Sequence, residues 1–194
     1  MSKISAAIIT YNEEKNIERC ISSLVNVADE IIVIDSGSDD KTREIALKLG
    51  AKVIINKFEG HIQQKNFAIT QTSYKWVLSL DADEALSDEL RNNILEIKTK
   101  LKGDGYSFNR LTNYCGKWIR HCGWYPDRKL RLFKKENGSW SGKNPHDKYI
   151  LEKGKAKLIK GDILHYTFYE VREHKNQIIK FSDIAAQSLF DLNK

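Results

Sequence analysis

Short apolar runs alternate with helical segments through the first hundred residues, and this alternation limits the fold more than any other feature of the chain. The apolar runs cover residues 4–9, 30–35, 52–55 and 76–80. Segments with apolar side chains at helical spacing lie between them, although the pattern at 62–70 is weaker. Strands and helices in this order form a parallel sheet with helices on both faces. We therefore predict an α/β fold with a Rossmann-like, doubly wound and mainly parallel sheet.

Polar residues at the starts of the helical segments are typical of helix caps. Asn12 precedes the first segment, and Asp39 or Asp40 precedes the second, so we expect these side chains to accept hydrogen bonds from the first free amides. The segments at 90–101 and 171–192 are amphipathic, with apolar side chains on one face. We expect a helix at each of these positions.

The composition limits the class of protein. The chain has 194 residues, a formal net charge of +6, 41% hydrophobic residues and 30% charged residues, as is typical of one globular domain. It contains neither an apolar run long enough to span a membrane nor an N-terminal signal pattern, so we expect a cytoplasmic protein. Its three cysteines lack zinc-site spacing and are expected to be reduced. The positive charge favours anionic partners, namely nucleotides, phosphorylated glycans, nucleic acid or an acidic membrane surface, without distinguishing among them.

Acidic residues follow two of the predicted strands. Asp81 and Asp83 come directly after the run at 76–80, and ligands bind at the carboxyl ends of strands in such sheets. Carboxylates at this position suit Mg²⁺ or Mn²⁺, which stabilises negative charge on a diphosphate leaving group. Asp35 ends the run at 30–35 and either binds a base or ribose or is a solvated acid in the turn 36–40. Both interpretations of Asp35 stay open at this point.

Two common phosphate-binding motifs are absent from the sequence. No Gly-x-Gly-x-x-Gly follows the first strand, and there is no glycine-rich loop ending in Lys-Ser or Lys-Thr. Their absence argues against a nicotinamide cofactor and against P-loop phosphoryl transfer.

Three ordered motifs resemble those of glycosyltransferase family 2, which has the GT-A fold. They are Thr-Tyr-Asn-Glu-Glu at 10–14, Val-Ile-Asp-Ser-Gly-Ser-Asp-Asp-Lys-Thr at 33–42 and Leu-Asp-Ala-Asp-Glu at 80–84. Later segments are similar to the bacterial lipopolysaccharide core glucosyltransferase branch of that family: 123–127, 130–133 and Pro-His-Asp at 145–147. The resemblance covers residues 3–190, and it is more specific in the first hundred.

The resemblance implies a nucleotide pocket built from the first two motifs and part of the third. Thr10, Tyr11 and Glu13 would line this pocket, Asp35 would recognise uracil or its ribose, and Asp81 would approach the ribose and the metal. These roles follow from the matching positions of the motifs.

The resemblance also implies a metal site and a catalytic base. Asp83 would be the direct ligand of a divalent metal, Mg²⁺ or Mn²⁺, with Asp81 nearby and His165 joining the site. Asp147 would deprotonate the acceptor hydroxyl, and Asp127 is the alternative base. This chain has His-Asp at 146–147, where the branch usually has His-Glu, so the base would be one methylene shorter.

The length of the chain favours one domain, and we predict a single glycosyltransferase domain over residues 1–194 with an acceptor-side extension. Residues 1–104 would be the nucleotide-sugar-binding half, 105–170 the acceptor and catalytic half, and 171–194 a C-terminal amphipathic helix. Aromatic and basic residues interleave in the second half, where they would stack on sugars and bind anionic groups, or simply pack and face solvent.

The resulting functional prediction is an inverting transfer of a hexose, such as glucose, from a UDP-sugar to a glycan or glycolipid. The lipopolysaccharide inner core is the implied acceptor, with peripheral contact at the inner face of the cytoplasmic membrane. Nucleic acid is not an expected partner, and the sequence gives no oligomeric state.

Three other functions are compatible with parts of the sequence. A sugar-nucleotide pyrophosphorylase shares the sheet and a metal, but its glycine-rich basic loop is absent. A basic nucleic-acid-binding protein would show strongly salt-dependent affinity, yet no nucleic-acid motif is present. A catalytically inactive nucleotide-sugar-binding protein would bind UDP without turnover.

Overall fold

The first half of the chain alternates strands and helices as the apolar pattern predicts. The computed structural model describes residues 2–143 and 146–192, and within that range it describes the side chains of all but a few residues. The elements of the first half are β1 (Ile4–Thr10), α1 (Ile17–Ser23), β2 (Glu30–Asp35), α2 (Thr42–Lys48), β3 (Lys52–Ile55), α3 (His61–Thr70) and β4 (Trp76–Asp81).

The second half is richer in strands than the sequence indicated. Its elements are β5 (Glu84–Leu86), α4 (Asp88–Lys98), β6 (Gly105–Tyr114), β7 (Lys117–Ile119), β8 (Asp127–Lys134), β9 (Gly138–Lys143), β10 (His146–Leu151), β11 (Ala156–Phe168) and α5 (Val171–Leu192). Of these strands, the sequence predicted only β8 and β11, as shorter strands at residues 129–133 and 163–166. The predicted helix 171–192 has the bounds of α5.

The strands from both halves form one mixed sheet in the order β3-β2-β1-β4-β8-β6-β11-β5, with β7 paired to β6. The first four are parallel to one another, and β8 joins β4 in the antiparallel sense. The register pairs Thr10 with Asp35 and Ile9 with Asp81. The carboxyl ends of β1, β2 and β4 therefore meet at one edge.

Helices and loops cover both faces of the sheet, because alternate residues of β1 enter different cores. Ile4, Ala6 and Ile8 pack in one cluster with α1 and α4. Ala7 and Ile9 belong to a second cluster with α3 and with aromatic side chains of the second half. All seven residues of β1 are buried, as expected for a strand buried on both faces. The prediction of a doubly wound α/β fold is confirmed.

The predicted cap of the first helix is wrong. The helix begins at Ile17 after Asn16, whereas Asn12 has a left-handed backbone with φ of 52°. The Asn12 amide donates to Ser38 Oγ at 2.9 Å, and its side-chain Oδ1 accepts from the Asp39 amide at 3.0 Å. Asn12 thus joins the loops after β1 and β2.

The second helix follows Lys41, and the expected cap acid is only partly confirmed. Lys41 is the residue before the first helical position and makes no side-chain capping bond. The Asp40 carboxylate accepts from the Thr42 amide at 2.9 Å and from the Thr42 hydroxyl at 2.5 Å. Of the two predicted acids, Asp40 therefore satisfies the first turn, while Asp39 does not.

One strand pair stands apart from the main sheet. β9 and β10 pair with each other in the antiparallel sense, with Asp147 opposite Gly142 and Tyr149 opposite Trp140. Strands β9 and β10 are hereafter called the β9–β10 hairpin. Residues 144 and 145, between these strands, lie outside the described residues. The third late motif is therefore described only in part, because Pro145 and the side chain of His146 are not included.

Candidate active site

A cleft of about 1490 Å³ opens at the edge where β1, β2 and β4 end. Its walls come from both halves of the chain. The lining residues that bear on the chemistry are Thr10, Tyr11, Glu13, Ser36, Lys65, Asp81, Asp83, Arg110, Trp124, Asp127, Arg131, Trp140, Asp147 and His165. Every predicted site residue except Asp35 lines this one cleft.

The loop after β1 brings three of the predicted nucleotide-binding residues to the cleft. Thr10 is buried, and its hydroxyl has no hydrogen-bond partner within the described part of the chain. Tyr11 is exposed. The Glu13 amide donates a hydrogen bond to Thr42 Oγ1 at 2.8 Å. The loop is therefore fixed by the loop after β2.

Asp35 lies beneath the cleft wall and is fully buried. Its Oδ1 accepts from the amides of Gly37 at 2.9 Å and Ser38 at 2.8 Å, and its Oδ2 accepts from Ser38 Oγ at 2.5 Å. Gly37 has φ of 93°, which suits glycine in such a turn. Both carboxylate oxygens of Asp35 therefore accept hydrogen bonds within the turn. Direct contact of Asp35 with a base or ribose stays a prediction, and it would require these bonds to change.

Asp83 and His165 are brought together by strand pairing. In β11, His165 lies opposite Glu84 of β5, and the Tyr166 amide donates to the Asp83 carbonyl at 2.9 Å. The Asp83 Oδ2 atom is 3.1 Å from His165 Nε2. Burial alone would lower the pKa of His165, but the charge of Asp83 and this hydrogen bond raise it.

Asp81 is neutralised by two buried cations. Lys65 Nζ lies 3.1 Å from Asp81 Oδ1, and Arg131 Nη2 lies 3.3 Å from Asp81 Oδ2. Although burial opposes the charged form, Lys65 and then Arg131 hold the pKa of Asp81 well below its usual range. Arg131 also binds the fully buried Glu84 at 2.8 Å.

Neither Lys65 nor Arg131 was singled out as a site residue from the sequence, although Arg131 lies within the late motif at 130–133. Lys65 is on α3, where the helical pattern is weak because Gln64 and Lys65 occupy buried positions of the helix. The one available signal was Arg131 itself, which lies between two leucines in β8 at a buried position. A buried basic side chain needs an acidic partner.

The two candidate bases have different surroundings. Asp147 is mostly buried, and its Oδ2 lies 2.8 Å from Lys65 Nζ. Asp127 is more exposed and forms ion pairs with Arg110 at 2.8 Å and Lys129 at 3.0 Å. Burial raises the pKa of Asp127, but Arg110 and Lys129 lower it overall.

The aromatic and basic residues of the second half divide between core and cleft. Tyr106 packs on Trp76 in the core, whereas Arg110, Trp124 and Arg128 line the cleft. Trp140 is buried between the cations Lys65 and Arg131, 4.5 Å and 5.3 Å from its ring centre. Packing and cleft-lining roles therefore both occur.

The donor set at the acidic loop fits a divalent cation in its chemistry. Asp83 and His165 offer an oxygen and a nitrogen that already face each other, and both are suitable ligands for Mn²⁺. Burial and then the charge of Asp83 raise the pKa of Glu13 to about 7, so negative charge is crowded here. In the part of the chain that the structure describes, however, no group of three or more His, Cys, Asp or Glu is arranged around one point.

The sequence matches a known family over most of its length. The profile described as "Glycosyl transferase family 2" matches residues 5–152. The chain belongs to glycosyltransferase family 2. The predicted family membership is therefore confirmed, and the chain is of the enzyme class that transfers sugars.

Curated relatives extend the match to nearly the whole chain. An uncharacterized glycosyltransferase of Rickettsia typhi is 35% identical over 205 residues, covering 100% of this chain and 70% of that protein. The lipopolysaccharide core biosynthesis glycosyltransferase LpsC of Rhizobium meliloti is 28% identical over 203 residues, covering 98% of this chain and 73% of that protein. The similarity to a lipopolysaccharide core enzyme agrees with the late motifs.

Solved structures support the GT-A fold. The structure of Staphylococcus aureus TarS, residues 1–349, matches with a TM-score of 0.60 at 15% identity. The match covers 85% of this chain and 60% of the TarS chain. Glucosyl-3-phosphoglycerate synthase of Mycobacterium tuberculosis, solved with Mn²⁺, UDP and phosphoglyceric acid, has a TM-score of 0.51 at 22% identity, covering 70% of this chain and 56% of that one. At these identities the likeness shows the fold alone. None of the described helices is long and apolar enough to cross a membrane.

Proposed function

We propose that this chain transfers a hexose from a UDP-sugar to a glycan or glycolipid with inversion at the anomeric carbon, and that a divalent cation assists the reaction. The observation that carries the proposal is the convergence of Glu13, Asp83, His165 and Asp147 on one cleft at the strand ends. The sequence places these residues in four separate segments, and three of these segments match motifs of the family.

The loop after β1 is the proposed nucleotide end of the cleft. Thr10 offers a buried hydroxyl without a described partner, and such a group is well suited to a polar ligand. The exposed Tyr11 ring is free to contact a base. The relation to UDP draws support from the structure of the Mycobacterium tuberculosis synthase, which was solved in complex with UDP.

Asp83 and His165 are the proposed cation ligands. Asp81 is a weaker candidate for direct ligation, because Lys65 and Arg131 already neutralise its carboxylate. Its proposed role is to orient these cations and to accept a hydrogen bond from the nucleotide. When bound, the cation supplies positive charge that stabilises the diphosphate leaving group.

Arg131 and Trp140 contribute further donors at the floor of the cleft. The Nε and Nη1 groups of Arg131 and the Nε1 group of Trp140 have no acceptor among the residues described. Both side chains are buried. Unpaired buried donors of this kind favour an anionic ligand, in keeping with a diphosphate.

Asp147 is the proposed base that accepts the proton of the acceptor hydroxyl, and Asp127 is the alternative. Asp127 sits between two cations at a more exposed position, which favours Asp147. The acceptor proposal is a glycan or glycolipid of the lipopolysaccharide inner core, supported by the similarity to LpsC. Peripheral contact with the inner face of the cytoplasmic membrane, if the acceptor is a lipid-linked glycan, belongs to the same proposal.

The experiment that tests the function is a ligand screen followed by an activity assay. UDP-glucose, UDP-galactose and UDP-N-acetylhexosamines are tested for thermal stabilisation of the protein with and without Mn²⁺, because a ligand that binds the folded state raises the melting temperature. We expect stabilisation by at least one donor that depends on Mn²⁺. The stabilising donor is then tested for UDP release with lipopolysaccharide core acceptors. Binding without release would indicate an inactive nucleotide-sugar-binding protein, and no stabilisation by any donor would reject the proposal.

A further inference from the structure

The β9–β10 hairpin carries Asp147 but, among the described residues, is not joined to the main sheet by strand pairing. In the described residues its two strands pair only with each other. The strands that carry Asp81 and Arg131 are joined to their neighbours by backbone hydrogen bonds. The position of Asp147 relative to the rest of the cleft is therefore set by contacts other than strand pairing.

Hydrogen bonds and a ring contact hold the middle of the hairpin, including a bond from the Tyr149 hydroxyl to the Lys134 carbonyl at 3.3 Å. Trp140 and Tyr149 face each other in the register. The Trp140 amide donates to Asn66 Oδ1 at 2.9 Å, and Asn66 Nδ2 donates to the Trp140 carbonyl at 2.9 Å. The Tyr149 ring stacks on Phe133 with 3.5 Å between ring centres. These contacts dock the hairpin on α3 and β8.

Lys65 holds the hairpin closer to its turn. The pair Asp147–Gly142 lies two register positions beyond Tyr149–Trp140. There, Lys65 Nζ lies 2.8 Å from Asp147 Oδ2 and 3.1 Å from Asp81 Oδ1. The ammonium thus stands between one carboxylate of the main sheet and one carboxylate of the hairpin.

The burial of Lys65 makes this bridge strong. Its side chain is 4% exposed, and that of Asp147 is 9% exposed. A buried ammonium must be paired, and two carboxylates on either side of the same point repel each other unless a cation lies between them. Removing the ammonium would leave Asp147 without its cation, whereas Asp81 would keep Arg131, and the end of the hairpin would lose its tie to the main sheet.

We infer that Lys65 is a positioning residue for the transfer reaction, because its ammonium joins Asp147 to Asp81 and so fixes the proposed base relative to the donor end of the cleft. The roles of Asp147 and Asp81 rest on the proposed function, whereas the bridge itself does not. Lys65 acts through these carboxylates and needs no contact with the substrate.

The first test measures the hairpin directly by amide hydrogen exchange. Lys65→Met keeps the aliphatic stem and removes the charge, and Lys65→Arg keeps the charge. Lys98→Met is the matched control, because Lys98 is also a buried lysine. Its Nζ lies 2.8 Å from Asp29 Oδ2, and the pair does not line the cleft. We expect exchange at residues 147–150 to rise about tenfold in Lys65→Met through local opening. Lys65→Arg should stay nearer to the unmodified protein, and Lys98→Met should leave the hairpin unchanged.

The second test measures turnover. With the donor found in the screen, Lys65→Met should lower kcat on the order of 10²-fold, as expected when a general base is misplaced. Lys65→Arg should restore at least about a tenth of the activity. In an Asp147→Asn background, Lys65→Met should add little further loss, because residues that act as a unit are not additive.

The outcomes separate this inference from the proposed function. Unchanged hairpin exchange together with unchanged kcat in Lys65→Met would overturn the inference. If Lys65→Met does not fold, Lys65→Gln replaces it, and equal exchange and turnover in Lys65→Gln and Lys65→Arg would show that the charge has no positioning role. If the unmodified protein transfers no sugar, the proposed function fails, and the exchange experiment alone decides whether Lys65 holds the hairpin.

Discussion

Asp83 Oδ2 and His165 Nε2 lie 3.1 Å apart, although the two residues are 82 positions apart in the sequence. The contact is produced by the short strand β5, which follows the acidic loop at once and pairs with β11. A loop acid and a strand histidine are thereby fixed on the same side of the cleft. This pair is the most direct structural support for a cation site.

Replacement of Asp83 tests that site. Asp83→Ala should abolish metal-dependent sugar transfer and remove the additional thermal stabilisation by Mn²⁺ with UDP, because an oxygen ligand is lost. The fold should persist, since the side chain is partly exposed. Activity and melting curves are compared with those of Asp88→Ala, an exposed acid in the first turn of α4. Full turnover in Asp83→Ala would move the cation site elsewhere.

Replacement of the two candidate bases should have unequal effects. Asp147→Asn should lower kcat on the order of 10²- to 10⁴-fold and keep UDP binding, because the amide cannot accept the acceptor proton. Asp127→Asn should mainly disturb its ion pairs with Arg110 and Lys129, with a smaller loss. Steady-state kinetics and UDP calorimetry measure both effects. The reverse order of losses would identify Asp127 as the base.

Arg131 is predicted to be a major contributor to stability. Arg131→Met removes the cation beside Glu84, whose side chain is fully buried, and breaking a buried pair in this way costs about 3–5 kcal/mol. Urea unfolding measures the loss. Lys75→Met is the control, because Lys75 and Glu136 form an exposed pair, for which about 0–1 kcal/mol is expected. Similar losses in the two variants would contradict the prediction.

Asp29 should make stability depend on pH. Burial raises its pKa, but the hydrogen bonds from Lys98 and from the Ile4 amide lower it overall. A carboxyl group with a lowered folded-state pKa stabilises the protein above its unfolded pKa, and this contribution is lost as the pH falls through the folded value. Asp29→Asn should therefore be less stable than the unmodified protein at neutral pH, and the difference should shrink below about pH 4. A constant difference between pH 7 and pH 3 would argue against this explanation.

The parallel strands of the first half could be predicted because each is a short apolar run bounded by polar turns. The predicted bounds of β2 and β3 are those of the structure, and Asp81 and Asp83 were located correctly at the end of β4. These features depend on local patterns that the sequence displays directly. The GT-A fold and the family were confirmed as well.

The strands of the second half could not be predicted because their burial is irregular. In β6, buried and half-buried residues do not alternate, since the strand changes register against its neighbours. The pairing of Asp81 with Lys65 and Arg131 joins three distant segments, and no local pattern encodes it. The prediction of Asn12 as a helix cap was wrong because its side chain accepts a hydrogen bond from the loop after β2 and not from a helix amide.

The separation of the β9–β10 hairpin from the main ladders has a consequence for how such enzymes diversify. Residues that change the length or curvature of this unit alter the reach of Asp147 without interrupting any strand that shapes the nucleotide end. A chimera that exchanges the hairpin between two relatives would therefore keep the parallel strands intact while changing the position of Asp147, and the Trp140 and Lys65 contacts are where such a change would reach the donor end.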